Sequence, residues 1–375
     1  MSGQLPPLSL YIHIPWCERK CPYCDFNSHR SEGALPEAAY VHALLTDLDA
    51  QLDSVQGREI LSIFIGGGTP SLFSGDSMAR ILEGVSQRLQ LAPDCEITLE
   101  ANPGSAEADK FKAFAAAGVN RLSLGIQSFN DLSLQALGRV HDSREARAAV
   151  EMAQEAGFSS VNLDLMHGLP GQGVNDACAD LDTAIAFGTE HLSWYQLTIE
   201  RNTAFYSQPP TLPLEDALAE IQDEGEARLA AASFENYEVS AFARNGQVCR
   251  HNINYWEFGD YLGIGAGAHG KLTGAGGVWR TARRRQPDDY LQRPSGKREQ
   301  LSPAILRGDF MLNALRLSAG FDPALFPQRT GLPLANVDPI LQSLAARKLL
   351  RVEPQRIQAT PLGRRFLDAV IGEFL

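Results

Sequence analysis

The sequence predicts an α/β fold, a partial TIM barrel of six βα units followed by a small helical domain of winged-helix type. Strand-length apolar tracts alternate with helical patterns about six times over residues 1–235. That alternation stops after residue 235, and helical periodicity returns near residue 300 before a tract suited to a small hairpin. We therefore divide the chain into a barrel (1–235), a connecting region (236–299) and a C-terminal domain (300–375).

Six tracts rich in residues typical of a buried sheet are predicted to be the strands of the barrel. They cover residues 8–14, 61–65, 96–101, 121–126, 160–166 and 191–197. Apolar residues spaced three and four apart predict helices between them, over residues 40–52, 78–89 and 146–156, and a further helix over residues 218–231. Short strands joined by helices must be parallel, because each helix returns the chain to the same edge.

Beyond the barrel the elements are shorter and the pattern is weaker. One further strand is expected over residues 237–242, and the arginine-rich stretch 280–285 is expected to be a connection. Helical spacing returns over residues 334–349, and residues 350–363 alternate like a hairpin before a last helix.

Chemically unusual residues follow every predicted barrel strand. In parallel α/β barrels the reactive groups lie at the carboxyl ends of the strands. In strand order they are Cys17, Cys21 and Cys24, then residues 66–70, Glu100 and Asn102, Gln127, Asp164 and His167, and Gln196. We therefore expect one functional site on this rim.

The charge balance limits the classes of partner. The chain has 33 basic and 45 acidic residues, a net charge of -12, which disfavours a broad nucleic-acid surface. The average surface would also be repelled by an anionic membrane, although a local basic patch can still dock there. No signal peptide and no transmembrane run of about 18 apolar residues is found, so the expected location is the cytoplasm, with or without peripheral membrane attachment.

Half of the six cysteines lie close together. Cys17, Cys21 and Cys24 have the spacing C-x3-C-x2-C directly after the first strand. Three thiolates hold three irons of a cubane cluster and leave the fourth iron open to a small chelating ligand, whereas electron-transfer clusters normally have four cysteines. The alternatives are a zinc site completed by His13 or His29, or a loop of unbound thiols.

The trio belongs to a longer series of motifs. It lies within residues 11–24, and residues 66–70, 100–104 and 125–129 follow in order. Together they resemble the radical SAM superfamily, and more narrowly the oxygen-independent coproporphyrinogen III oxidase family, over nearly the whole chain. The resemblance implies a 4Fe-4S cluster, S-adenosylmethionine (SAM) on its open iron, and cleavage of SAM to a 5′-deoxyadenosyl radical.

The resemblance also implies roles for individual residues. The cluster ligands would be Cys17, Cys21 and Cys24. SAM contacts would fall on Tyr11, Tyr23, Gly67, Gly68, Thr69 and Glu100, and on Gln127, Arg139 and Asp164, which match positions that contact a second SAM molecule in the oxidase. Ordinary hydrogen bonds and ion pairs at the rim are the alternative for the last four residues.

The sequence departs from the oxidase at two places. Phe26 stands where the oxidase has a further cysteine associated with decarboxylation, so coproporphyrinogen oxidase activity is not expected. The extended N-terminal segment of the oxidase has no counterpart before Tyr11. Both departures, together with an H-N-x-x-Y-W motif at residues 251–256, resemble the haem chaperone branch of the family.

The H-N-x-x-Y-W motif makes His251 the candidate haem-binding residue. A neutral imidazole is a common axial ligand of haem iron. Tyr255 and Trp256 would pack on the porphyrin, Arg283–Arg285 would pair with propionates, and Cys249 is a further candidate contact. The alternatives are a structural histidine, core aromatics, a solvated arginine loop and an inert thiol.

Three functions remain open at this stage. The leading hypothesis is a haem chaperone that delivers haem to acceptor haemoproteins, membrane-associated respiratory proteins among them, with a homodimer as one expected state. The alternative is oxidative decarboxylation of coproporphyrinogen III. The third is a plain electron-transfer or structural metal protein.

Overall fold

The structure, a computed structural model, describes residues 5–104 and 107–375. The strands are β1 (Leu8–Ile14), β2 (Trp16–Cys17), β3 (His29–Arg30), β4 (Ile60–Gly67), β5 (Leu91–Ala101), β6 (Arg121–Gln127), β7 (Ser160–His167), β8 (His191–Gln196), β9 (Glu235–Glu238), β10 (Ala241–Ala243), β11 (Asp260–Ile264), β12 (His269–Gly274), β13 (Gly277–Arg283), β14 (Gly296–Gln300), β15 (Leu350–Glu353) and β16 (Arg356–Ala359). The α-helices are α1 (Glu37–Asp49), α2 (Gly75–Ser86), α3 (Ala108–Ala116), α4 (Asp131–Ala136), α5 (Ser143–Glu155), α6 (Val174–Ala186), α7 (Ala204–Ser207), α8 (Glu215–Ala231), α9 (Arg250–Trp256), α10 (Pro287–Gln292), α11 (Pro303–Ala314), α12 (Leu325–Thr330), α13 (Asp338–Ala346), α14 (Pro361–Arg365) and α15 (Leu367–Gly372).

Within the described residues, one sheet of twelve strands organises most of the molecule, in the order β14-β13-β12-β11-β1-β4-β5-β6-β7-β8-β10-β9. The run from β11 through β1 and β4 to β8 pairs in parallel. Every predicted barrel strand overlaps a strand of this run, and helices connect them. The partial-barrel prediction is therefore confirmed.

The edges of the sheet differ from the sequence expectation. Two short antiparallel strands, β9 and β10, lie where one strand was expected. Strand β13 includes most of the stretch that was predicted to be a connection, and it pairs with both β12 and β14. That prediction was wrong because β13 alternates buried and half-exposed residues, several of them Arg or Thr, so it lacks an apolar strand pattern.

The helices pack on the sheet through narrow apolar faces. Helix α5 begins with a capping box between Asp142 and Glu145, and then buries Ala146, Val150 and Ala153. These small side chains let the helix lie close to the sheet.

The C-terminal elements surround an apolar cluster of their own. Helices α11, α12 and α13 precede the β15–β16 hairpin, and Phe310, Phe326 and Phe374 are fully buried between them. Helices followed by a hairpin are the predicted winged-helix-like arrangement. The predicted segment boundaries at residues 235 and 299 stay predictions. None of the helices in the described residues is both long and apolar enough to cross a membrane.

Candidate functional site: two adjoining cavities at the barrel rim

A cavity of about 380 Å³ lies at the carboxyl ends of the parallel strands. Most of the residues that the sequence predicted for cluster and SAM binding line this first cavity. They are Cys17, Cys21, Cys24, Tyr23, Gly67, Gly68, Thr69, Glu100, Gln127, Arg139 and Asp164. Tyr11 and His251 instead line a second, adjoining cavity.

The three cysteines lie in the segment that follows β1, where Cys17 ends the short strand β2 and Cys21 and Cys24 come after it. The Cys24 amide donates to the Cys21 carbonyl at 3.1 Å, which closes a tight turn between these two residues. Burial raises the pKa of the Cys17 and Cys24 thiols. These thiols therefore keep their protons at neutral pH unless a metal displaces them.

Arg139 connects the trio to the strand ends. Its Nη1 donates to Sγ of Cys21 at 3.5 Å, and its Nη2 donates to Oδ1 of Asn102 at 2.6 Å and to the Gly125 carbonyl at 2.8 Å. Asn102 in turn donates to the Thr69 hydroxyl at 2.9 Å. The planar cationic fork of Arg139 suits an anionic ligand group.

Two consecutive glycines allow the backbone to approach its neighbours closely. Gly67 has φ +121°, and a Cβ there would lie 2.6 Å from the His13 ring. A Cβ on Gly68 would lie 2.5 Å from the Trp16 carbonyl oxygen. The Gly67 amide donates to Oε2 of Glu100 at 3.1 Å. Only glycine fits this strand end without strain, so the two glycines bring the backbone to the wall of the cavity.

Two carboxyl groups differ in how they are held. Asp164 accepts hydrogen bonds from the Ser123 hydroxyl at 2.9 Å and from Nδ2 of Asn162 at 2.8 Å. Burial, reinforced by the Asp164 charge, raises the pKa of Glu100 to about 8. Glu100 is therefore largely protonated at neutral pH and can donate a hydrogen bond to a ligand.

The residues of the first cavity fit an iron–sulfur cluster with a bound small molecule. Three free thiols and a guanidinium supply the chemistry that such a group needs. Within the described part of the chain, no three His, Cys, Asp or Glu side chains are gathered closely enough to hold one metal ion, so the fit rests on donor chemistry. Neither His13 nor His29, the candidate fourth zinc ligands, lines this cavity.

The second cavity, of about 490 Å³, is richer in aromatic and imidazole groups. Its lining includes Tyr11, His13, Phe64, His251, Tyr255, Trp256, Tyr261, His269 and Arg285. The two cavities share Phe26, Gly67 and Glu100, so a wall only one residue thick separates them. Phe26, at the position of the missing cysteine, is 58% exposed.

His251 lies at the start of helix α9 and is held on two sides. Its amide donates to Oε1 of Glu96 at 3.0 Å, and its Nδ1 lies 3.1 Å from the Ser62 hydroxyl. Burial, with a smaller contribution from Arg121, lowers the pKa of His251 to about 3. The imidazole is therefore neutral at physiological pH, as a metal ligand must be.

Three of the predicted haem contacts are corrected by the structure. Arg283 is buried and its Nε lies 2.8 Å from Oδ1 of Asp47, so it already has a carboxylate partner. Arg284 is exposed and lines neither cavity. Of the three predicted arginines, Arg285 is the one that lines the second cavity. Cys249 is also wrong as a contact, because its thiol is buried and donates to Glu96 at 3.5 Å.

Other residues of the site escaped the sequence analysis. Tyr195 lines the first cavity, and its hydroxyl donates to Oε1 of Gln127 at 3.0 Å. Gln127 itself has φ +61°, at a register shift between β6 and β7. Tyr261 on β11 and Phe64 on β4 line the second cavity. Alternation along a strand indicates which side chains share a face of the sheet. It does not indicate which of the two faces meets a ligand.

Comparison with known proteins agrees with this geometry. The model of the radical SAM superfamily matches residues 11–184, and that of the HemN C-terminal domain matches residues 302–366. The solved structure of coproporphyrinogen III oxidase (HemN) from Escherichia coli, described as a radical SAM enzyme, superposes with a TM-score of 0.83. That match has 24% identity and covers 99% of this chain and 90% of that chain, so it establishes the fold. The fold and the thiol-lined cavity define a protein of the radical SAM class, for which a 4Fe-4S cluster and SAM are implied.

Curated relatives identify the family more narrowly. "Heme chaperone HemW" of Escherichia coli is 49% identical over 374 residues, covering 99% of both chains. "Heme chaperone HemW" of Haemophilus influenzae is 47% identical over 378 residues, again covering 99% of both. The chain belongs to the HemW family of radical SAM proteins.

Proposed function

We propose that this protein is a haem chaperone, which binds haem in the second cavity and transfers it to acceptor haemoproteins. One observation carries the proposal. His251 presents a neutral imidazole to an aromatic-lined cavity that adjoins the thiol-lined cavity. The names of the curated relatives support the same function.

The second cavity offers a contact for each part of haem. His251 would bind the iron through Nε2, because Nδ1 faces Ser62. Phe64, Tyr255 and Tyr261 supply aromatic surface for the porphyrin. Arg285 supplies a guanidinium for a propionate carboxylate.

The first cavity would hold the radical SAM cofactors. The proposed cluster ligands are Cys17, Cys21 and Cys24, and the proposed SAM contacts are the predicted residues that line the same cavity. When bound, the cluster supplies an open iron for the amino and carboxylate groups of SAM. A ligand bound in the first cavity would contact residues that also line the second cavity. This supports a role of the cofactors in regulating haem binding or transfer.

The proposal extends to the partners of the protein. Acceptors would be haemoproteins, with membrane-associated respiratory proteins as the first ones to test. Peripheral membrane attachment and a homodimer belong to the same proposal.

Haem titration of the anaerobically reconstituted protein tests the proposal. His251→Ala should weaken haem binding at least tenfold and change the haem absorption spectrum. His42→Ala, on the exposed face of helix α1, is the matched control and should bind as wild type does. The loaded wild-type protein should then pass haem to an apo-haemoprotein, followed by absorbance of the acceptor.

Two results would contradict the proposal. Unchanged affinity and spectrum in His251→Ala would remove His251 as the iron ligand. Conversion of coproporphyrinogen III to protoporphyrinogen IX by the reduced protein with SAM would favour the oxidase function over the chaperone.

A further inference from the structure

Ser62 lies directly behind the imidazole of His251, on the side away from the second cavity. It belongs to strand β4 and is completely buried. Its hydroxyl is 3.1 Å from Nδ1 of His251 and 2.8 Å from the hydroxyl of Ser9. The ring of His251 therefore has one nitrogen tied to the sheet, and the other, Nε2, remains for the cavity.

Iron binding at Nε2 determines where the imidazole proton must be. A neutral imidazole coordinates through the lone pair of one nitrogen and carries its proton on the other. Iron at Nε2 thus requires an Nδ1–H group, and a buried N–H group is costly without an acceptor. Among the described residues, the Ser62 hydroxyl is the acceptor found within hydrogen-bond distance.

The neighbouring hydroxyl lets Ser62 act as that acceptor. Ser62 can donate its own proton to Ser9, whose oxygen also accepts from Nδ2 of Asn254 at 3.0 Å. With the protons placed this way, the Ser62 oxygen stays available to the His251 N–H. The arrangement is the one in which a second hydrogen bond orients a metal-binding histidine.

The backbone around His251 is also restrained, so the ring cannot simply turn away. The Glu96 carboxylate accepts the amides of Arg250 and His251, each at 3.0 Å. Asn254, one turn further along helix α9, donates to the Asp260 carbonyl as well as to Ser9. Both ends of the first turn are tied to the sheet.

Given the haem site proposed above, we propose that Ser62 is the positioning residue of the haem ligand. It holds the Nδ1–H tautomer of His251, directs Nε2 to the iron, and increases the electron density of the imidazole. No existing contact of Ser62 has to break for this role.

Ser62→Ala in the full-length, cluster-containing protein tests this role. Loss of a comparable hydrogen bond behind a metal ligand costs 10- to 100-fold in affinity, so we expect a haem dissociation constant raised by about tenfold. The iron–imidazole stretching frequency of the ferrous haem complex, measured by resonance Raman spectroscopy, should fall. Thr98→Val is the matched control, because it removes a buried hydroxyl without a hydrogen-bond partner from the adjacent strand β5.

The outcomes separate this role from the haem site itself. An unchanged stretching frequency and affinity in Ser62→Ala, with haem binding still lost in His251→Ala, would overturn the role of Ser62 alone. Intact binding in His251→Ala would overturn the haem site first. Should Ser62→Ala fail to fold, Ser9→Ala removes the next hydroxyl, and an unchanged frequency there would contradict the proposal.

Discussion

Arg139 is the residue that joins the cysteine trio to the strand ends at the rim. It contacts a cysteine sulfur, an amide and a backbone carbonyl from three different segments. Arg139→Lys keeps the charge but loses the planar fork, so we expect SAM binding to the reconstituted protein to weaken by about tenfold. Isothermal titration measures this change. Arg144→Lys, on an exposed side chain of helix α5, should leave the affinity unchanged.

His167 is a second residue whose surroundings dictate its behaviour. Its ring lies 4.1 Å from the Trp194 ring, its Nδ1 is buried without a partner, and burial lowers its pKa to about 4. The unfolded chain, with a histidine pKa of about 6.5, binds the proton more readily between these two values. This group therefore stabilises the fold above pH 6.5 and loses that contribution as the pH falls toward 4.

The expected effect of His167 is measurable in urea. Between pH 7.5 and 5.5 the free energy of unfolding should fall by about 1 kcal/mol less in His167→Phe than in wild type. Phenylalanine keeps the aromatic contact and cannot titrate. His42→Gln, at an exposed position, should show the wild-type pH dependence. An identical pH dependence in His167→Phe would contradict the assignment.

Among the elements, the short ones differ most from the sequence analysis. Helix α9 has seven residues, fewer than two full turns of apolar repeat, so periodicity could not identify it. Strand β11 carries Asp260 and Gly263 and looks like a turn in sequence, yet it pairs with β1. Long-range pairing, rather than local propensity, decides both elements.

Helix α8 gives an element-scale prediction. A Cβ on Gly225 would lie 2.0 Å from Cη2 of Trp194 on β8, so this helix packs with its backbone against an indole. Gly225→Ala should lower the free energy of unfolding by about 1–3 kcal/mol through overpacking. Gly372→Ala in helix α15, where nothing lies within 4 Å, should cost nothing in the same urea titration. Equal stabilities of the two variants would refute the packing.

At the scale of the whole molecule, a buried ion pair ties the later strands to the barrel. Arg283 on β13 pairs with Asp47 on helix α1, and the Tyr290 hydroxyl donates to the same carboxylate at 2.8 Å. Residues far apart in sequence thus share one buried charge cluster. Two residues of the second cavity come from the same part of the chain: His269 is on β12, which pairs with β13, and Arg285 lies in the loop after β13.

Breaking that pair should destabilise the protein strongly. Arg283→Met leaves the Asp47 carboxylate buried and unpaired, so we expect a loss of about 3–5 kcal/mol in urea unfolding. Adding Asp47→Asn should recover part of the loss. Arg347→Met breaks an exposed pair with Glu373 and should cost less than about 1 kcal/mol. Similar losses in both single variants would show that the burial of the first pair has no energetic consequence.

The sequence alone determined the βα alternation, the strand ends that carry the functional residues, the cysteine trio and the family resemblance. These features depend on local spacing, which a single chain displays directly. The partners of Arg283 and Cys249, the place of β11 beside the parallel strands, and the position of Ser62 behind His251 came from the folded structure. It also decided that two cavities share Phe26, Gly67 and Glu100. Those relations join residues tens to hundreds of positions apart, and burial and pairing between distant segments leave no periodic trace in the sequence.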